Sequence, residues 1–293
     1  MRNVISFLNM KGGVGKTTLC KEIGYYLSRN GKKVLLIDVD PQGNLTQSIF
    51  EKYNYKHHYE TETERNRKFQ VCTATISNVF DYTSVVEGVK ESDFILKLDD
   101  YLSIIPGDLN AVFFERSGGG SESENAIKNF IEDFKIRESY DYILMDCPPT
   151  FSFYTTAALL ASDFYISPIH PDSYSVLGID LLFQVVERLK KVYRDRFKTT
   201  PLDHLGVIFT NIPRDGSIST GMRKMMGDIR GSQTLDELEV NFFKEVFQTN
   251  REFNKKIDYF IADSNSDYSY SNLRKIIIEF DSVITKANVV SQI

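Results

Sequence analysis

The octapeptide Lys11–Thr18, KGGVGKTT, constrains this chain more than any other stretch, because it follows the apolar run Val4–Asn9 and opens the amphipathic run Lys16–Asn30. Gly12, Gly13 and Gly15 let the backbone curl so that successive N–H groups, those of Val14, Lys16, Thr17 and Thr18 among them, point at one anion. A helix starting there adds about half a positive charge at its N-terminus. Strand, glycine loop and helix in this order form a phosphate-binding loop, with Lys16 on the β and γ phosphates and the Thr17 hydroxyl on Mg²⁺. Leu19, Cys20, Ile23, Tyr26 and Leu27 share one helical face, Gly31 supplies a left-handed stop, and Lys33–Val39 reads as a second buried strand. The chain therefore opens with a βαβ unit.

The same alternation continues. Tyr101–Ile105, Tyr142–Asp146, Phe164–Ile169, Leu205–Thr210 and Tyr259–Ile261 are further strand candidates; Ala126–Glu138, Val176–Tyr193, Ile218–Ile229 and Leu273–Ala287 are helix candidates. Near-continuous hydrophobicity suits strands covered on both sides, so the expected class is α/β: a doubly wound, mostly parallel sheet flanked by helices. With 293 residues, 42% of them hydrophobic, the chain can bury one large core, and a single domain over 1–293 is expected. Glu51–Gln70 (EKYNYKHHYETETERNRKFQ) and Ser117–Asn125 (SGGGSESEN) fit the alternation poorly and read as surface insertions.

Charge narrows the partners. Thirty-five Lys plus Arg against 40 Asp plus Glu leaves −5, so no protein-wide positive field exists to hold nucleic acid or an anionic membrane, and any such binding needs a local patch. No apolar run approaches the roughly 20 residues of a membrane-spanning helix, and the start MRNVISFLNMKGG does not read as a signal peptide, so a cytoplasmic location is expected. Cys20, Cys72 and Cys147 are odd in number and lack CxxC spacing, which fits reduced, mostly buried thiols better than disulfides or zinc. His57 and His58 have no nearby ligand partners and read as part of a solvated loop.

Two strand candidates end in carboxylates. Asp38-Val39-Asp40-Pro41-Gln42-Gly43-Asn44 closes the second strand and would supply negative charge and a proton acceptor where Mg²⁺ and an attacking water need them. Tyr140-Asp141-Tyr142-Ile143-Leu144-Met145-Asp146-Cys147-Pro148-Pro149 is an apolar strand ending in Asp146, as expected of a carboxylate that holds a Mg²⁺-bound water.

These segments resemble the ParA/MinD family of ATPases, nearest to its small ParA/Soj-type partitioning members. Met10 stands where the general phosphate-loop pattern has glycine and Lys11 opens the loop, as in the family's deviant motif xKGGxGK[ST]. Asp38–Asn44 matches its DxDPQGN box, and Tyr140–Pro149 its YDxxxxDxPP. Ser167–Pro171 and Phe209-Thr210-Asn211 are weaker likenesses. The resemblance implies a P-loop NTPase fold in which Lys11 reaches the partner's nucleotide phosphates across a dimer interface. It likewise implies that Asp40 orients the hydrolytic water, that Asp38 lies near the metal and that Asn211 reads adenine. With the loop this near Met1, the amino-terminal helix-turn-helix domain of larger ParA proteins, and operator-specific repression with it, is not expected.

The function so implied is hydrolysis of ATP with Mg²⁺ by a switch that dimerises on ATP, binds DNA nonspecifically and partitions a plasmid or chromosome with a ParB-like centromere-binding protein, in association with the nucleoid. Arg214, Arg251 and Lys255 are the candidate DNA contacts, with Arg223, Lys224 and Arg230 as a second cluster. Leu273, Ile276, Ile277, Phe280, Val283 and Ile284 form an apolar stripe that suits a core-facing helix, so no stable membrane association is expected. Cys72 and Cys147 are not expected to hold an iron–sulfur cluster. The alternatives are a MinD-like or other cargo-positioning ATPase at a membrane, and a nucleotide-binding regulatory module without significant hydrolysis, against which Asp40 speaks.

Overall fold

The computed structural model describes residues 2–58, 69–82, 88–109, 121–214 and 216–290. Strands β1 (Val4–Phe7), β2 (Val34–Asp38), β5 (Leu96–Lys97), β6 (Leu102–Ile105), β7 (Tyr142–Asp146), β8 (Phe164–Ile169) and β9 (Asp203–Phe209) form one sheet in the order β5-β6-β2-β7-β1-β8-β9. Every neighbouring pair is parallel except β5–β6. A separate parallel pair joins β3 (Tyr55–His57) to β4 (Gln70–Cys72).

Strand residues alternate between two cores, as the pleat requires. Val4, Leu35, Ile37, Ile143 and Met145 pack on one face with residues of α3 (Ala126–Asp133), α4 (Phe153–Ala161) and α5 (Ser175–Val192). Ile5, Phe7, Val34, Leu36 and Leu144 pack on the other with α1 (Lys16–Arg29) and α7 (Asp267–Val290). Helices on both faces of a parallel sheet are the expected doubly wound architecture.

The chain passes from β1 through α1 to β2 and skips the place that β7 later fills. β7 then has β1 on one side and β2 on the other, with Phe7 opposite Asp146 and Asp38 opposite Asp146. Three strand ends thus meet at the carboxyl edge of the sheet, where open α/β sheets place their ligands.

Several expectations need correction. Tyr259–Ile261 is not a strand: Ile261 opens a 3-10 turn to Asp263 and donates its N–H to buried Glu22 at 2.8 Å, so its backbone bonds go to a side chain instead of a ladder. Ala126–Glu138 breaks at Lys135, which takes a left-handed φ of 52°, and Ile136–Ser139 forms a separate turn. Glu51–Gln70 is not wholly an insertion: its beginning completes α2 (Asn44–Tyr53), and Tyr55–His57 pairs with Gln70–Cys72. His57 is buried against the Phe50 ring, not solvated. Residues 59–68 of that stretch and 117–120 of SGGGSESEN lie outside the described residues, while Ser121–Glu124 is a helical turn.

The apolar stripe of α7 packs as expected: Leu273, Ile276 and Phe280 are fully buried, and Phe280 lies beside the Tyr142 ring. Phe280→Ala should therefore cost about 3–5 kcal/mol, the range for a buried aromatic truncated to a cavity. Urea denaturation measures it. A loss below about 1 kcal/mol would mean that α7 does not pack this way.

Candidate functional site

The phosphate loop spans the gap between β1 and α1. Gly13 and Gly15 hold φ values of 72° and 84°, which side chains rarely adopt, so the glycines are required by backbone geometry. Val14 is buried and anchors the loop from beneath. Asn9, Thr210 and Asp172, none of them a site candidate from the sequence, brace it. Asn9 accepts the Lys11 N–H through Oδ1 at 2.8 Å and donates through Nδ2 to Pro168 O at 2.7 Å. The Thr210 hydroxyl lies within hydrogen-bond reach of both Val14 O and Ile169 O and can donate its one proton to either. Asp172 pairs with the ammonium of Lys11, whose side chain is 54% exposed at the mouth of the site.

Lys16 is buried, and its Nζ donates to Lys11 O at 3.2 Å, curling back over the loop. Burial lowers its pKa, while the charges of Asp146 and Asp40 pull it back up. Thr17 and Thr18 line the same cleft, which has a volume of about 470 Å³ and also takes in Gly12, Gly13, Gly15 and Asp40. That volume lies in the range of small-molecule sites.

Asp38 and Asp146 stand side by side, both fully buried. Asp38 Oδ2 accepts from the Thr46 N–H at 2.8 Å and the Thr46 hydroxyl at 2.7 Å, and Thr46 Oγ1 in turn accepts the Gly107 N–H at 2.8 Å. Gly107 is needed by proximity: a Cβ there would lie 2.9 Å from Asp38 Cγ. Among the described residues, Asp38 Oδ1 and both oxygens of Asp146 make no hydrogen bond of ordinary geometry, with the Asp40 N–H and the Thr17 hydroxyl as their stabilising donors. Burial raises the Asp38 carboxyl to about 7 against the pull of Thr46, with the Asp40 charge adding to the rise. Burial and then the Asp38 charge push Asp146 well above the usual range, against the pull of Thr17 and Lys16. Two buried carboxylates with three such oxygens, beside the Thr17 hydroxyl, fit a hard divalent cation by donor chemistry.

Asp40 sits one step further along. Its Oδ1 accepts the Gln42 N–H at 3.0 Å, its carbonyl accepts the Gly43 N–H at 2.9 Å, and Gly43 with φ 63° starts α2. Asn211 is left-handed at φ 57°, and its Nδ2 donates to Gly13 O at 3.0 Å, so it supports the loop directly. Gly12, Gly13, Gly15, Lys16, Thr17, Thr18, Asp40 and Asn211 thus line one cleft, while Asp38 and Asp146 lie buried behind it and the Lys11 side chain is exposed beside Asp172.

Residues 2–199 match the AAA_31 family, described as an AAA domain. The chain belongs to that family and is of the ParA/MinD type. It is 28% identical over 250 residues to the sporulation initiation inhibitor protein Soj of Bacillus subtilis, covering 85% of this chain and 83% of that one. It is 28% identical over 223 residues to the chromosome partitioning protein ParA of Caulobacter vibrioides, covering 75% and 74%. Its fold is similar to that of a Cyanothece McdA variant solved as an ATP complex, with a TM-score of 0.73 at 18% identity and 96% of each chain covered. The ParA/MinD relationship expected from KGGVGKTT and its two carboxylate segments therefore holds.

The expected DNA contacts are placed less uniformly. The Ile212–Gln248 bridge sets the segments carrying Arg214 and Arg251 side by side. Both arginines are exposed, with Arg214 over the Tyr268 ring. Lys255 is ion-paired with Glu252 at 2.7 Å. In the second cluster, Arg223 and Lys224 are exposed on α6 (Thr220–Arg230), whereas Arg230 donates to Phe243 O and covers the Phe209 ring, a structural engagement.

A buried ion pair holds the far wall of the cleft to α1. Lys21 Nζ lies 3.4 Å from Glu22 and donates to Ser48 Oγ at 3.1 Å and Tyr259 O at 2.8 Å. Burial raises Glu22 to about 7 despite Lys21. Between the unfolded value near 4.5 and about 7, the folded protein keeps a proton that the unfolded chain has released, so this group's contribution to stability falls as pH rises through that window. Glu22→Gln removes the effect. Urea midpoints at pH 5 and pH 8 should show the wild type losing stability relative to the variant by about 1–3 kcal/mol over that interval. An unchanged difference would contradict the assignment.

Proposed function

We propose that this chain is a Mg²⁺-dependent ATPase switch that dimerises on ATP, binds DNA nonspecifically as the dimer, and partitions a plasmid or chromosome with a ParB-like partner. The observation that carries this reading is the placement of Lys16 and Asp40 on one cleft with the buried carboxylate pair Asp38 and Asp146 close enough behind them to interact electrostatically. Membership in the ParA/MinD family and likeness to the Caulobacter chromosome partitioning protein ParA support it. The cellular setting that follows is cytoplasmic and nucleoid-associated, and the chain would act as a single domain.

Thr17, Asp38 and Asp146 would hold Mg²⁺, which when bound neutralises phosphate charge. The N–H groups from Gly12 to Thr18 bind the triphosphate. Lys16 stabilises charge that builds on the β and γ phosphates, and its burial strengthens that interaction. Asp40 has Oδ1 fixed by the Gln42 N–H and orients the attacking water from the lip of the cleft. Lys11, half exposed and held by Asp172, is available to neutralise phosphate charge of a second subunit, which couples nucleotide to dimerisation. Asn211 braces the loop and faces the nucleoside side. In a dimer the exposed Arg214 and Arg251, with Lys255, are doubled, which gives an acidic protein a patch able to hold DNA phosphates in a salt-dependent way.

Phosphate release and light scattering with ATP and Mg²⁺ test the switch. Asp40→Ala should bind ATP and accumulate as dimer while hydrolysis falls by about 10²-fold or more, the scale of a positioned acid–base group. Lys11→Ala should bind ATP and stay monomeric. Parental hydrolysis in Asp40→Ala, or a normal ATP-dependent dimer of Lys11→Ala, would contradict these roles.

A further inference from the structure

The cleft extends past the phosphate loop to a wall formed after the edge of the sheet, where Gln248, Asn250, Phe253 and Ile257 lie. The backbone there is fixed. Phe247 N–H donates to Phe209 O at 2.7 Å, Thr249 N–H donates to Ile212 O at 2.7 Å, and Gln248 stands opposite Ile212.

Three carboxamides line this end: Asn250 is engaged through both its nitrogen and its oxygen, and Asn211 through its nitrogen. Asn211 gives Nδ2 to Gly13 O at 3.0 Å. Asn250 donates to the Tyr259 hydroxyl at 2.7 Å and accepts the Glu252 N–H at 3.0 Å. Gln248 differs: it is 7% exposed, and its Oε1 is buried without a hydrogen-bond partner among the described residues. Folded proteins rarely leave a buried amide oxygen unpaired unless a ligand or water takes it up.

We propose that Gln248 reads the base of the bound nucleotide, its carboxamide pairing with adenine. This rests on the ATPase reading and adds to it the residue that selects the purine. With the triphosphate on Gly12–Thr18, the base falls toward the opposite wall, where Phe253 supplies an aromatic surface. A terminal amide turns about a broad torsion, so Oε1 can swing toward the cleft at little cost. Adenine sets an amine donor beside a ring-nitrogen acceptor, which matches one carboxamide oxygen and one carboxamide N–H. Guanine carries a carbonyl where adenine carries the amine, so Oε1 would face a second acceptor. A site built around a hydrogen bond discriminates strongly because the mismatch leaves buried groups unpaired.

Competition against a fluorescent ATP analogue, using ATP, GTP and inorganic tripolyphosphate in turn, separates base reading from phosphate binding. The wild type should prefer ATP over GTP by about tenfold or more, on the scale of one bidentate amide–adenine pair. Gln248→Leu should bind tripolyphosphate normally while the ATP-to-GTP ratio falls toward one. Gln248→Glu offers acceptors only, which suit the N1–H and N2–H of guanine, and should move the ratio toward GTP. A wild-type ratio in Gln248→Leu, or a wild type that binds both nucleotides alike, overturns the assignment and leaves the phosphate site standing. If Gln248→Leu also loses tripolyphosphate binding, Gln248→Glu decides, and an unshifted ratio overturns the assignment. A wild type that binds none of the three competitors overturns the ATPase reading and this assignment together.

Discussion

Asp38 and Asp146 are brought side by side by the pairing of β2 with β7, inside a sheet edge that water does not reach. Two carboxyl groups so placed repel each other when ionised and are costly to bury. Burial drives both pKa values up, and the partner's charge drives Asp146 further. Thr46 satisfies one oxygen, and Gly107 gives way so that Asp38 can sit there at all. Compensation comes from the Lys16 ammonium and the Thr17 hydroxyl, both of which favour the ionised form of Asp146. The strand ends thus carry an electrostatic cost that, on the proposed reading, a divalent cation would relieve.

The local parts of this arrangement were legible in the sequence. A glycine loop between an apolar strand and an amphipathic helix needs no tertiary context, and neither do strands that end in Asp38 and Asp146. What could not be read was which strand lies beside which. β2 and β7 are separated by about a hundred residues, so the contact of Asp38 with Asp146 follows from the sheet order alone. Thr46, Gly107, Asn9 and Asp172 share that limit, since each acts through a partner distant in sequence or through a close approach.

Local propensity misled where tertiary demand overrode it. Tyr259–Ile261 has the aromatic and β-branched composition of a strand, yet Phe260 fills the core beneath Lys21 and the Ile261 N–H is taken by Glu22. Charged residues after Tyr53 suggested a loop, but β3 closes on β4 and buries His57. The wall proposed to face the base was hidden for a related reason. Phe242–Thr249 runs beside β9 through single bridges too sparse to form a strand, and nothing in its local pattern marks Gln248 apart from its neighbours. Asn211, which the resemblance assigns to the base, gives one amide N–H to the phosphate loop and keeps its Oδ1 and second N–H for that role.

On the proposed reading, the buried carboxylate pair makes this cleft a cation-dependent phosphate site. Calorimetric titration with a nonhydrolysable ATP analogue, with and without Mg²⁺, tests it most directly when the wild type is compared with Asp146→Asn. The wild type should bind at least about tenfold more tightly with Mg²⁺, as expected of a cation that neutralises both the phosphates and the paired carboxylates. Asp146→Asn should lose most of that gain while still binding the analogue. Equal affinity with and without Mg²⁺ in the wild type, or an undiminished gain in Asp146→Asn, would contradict the account.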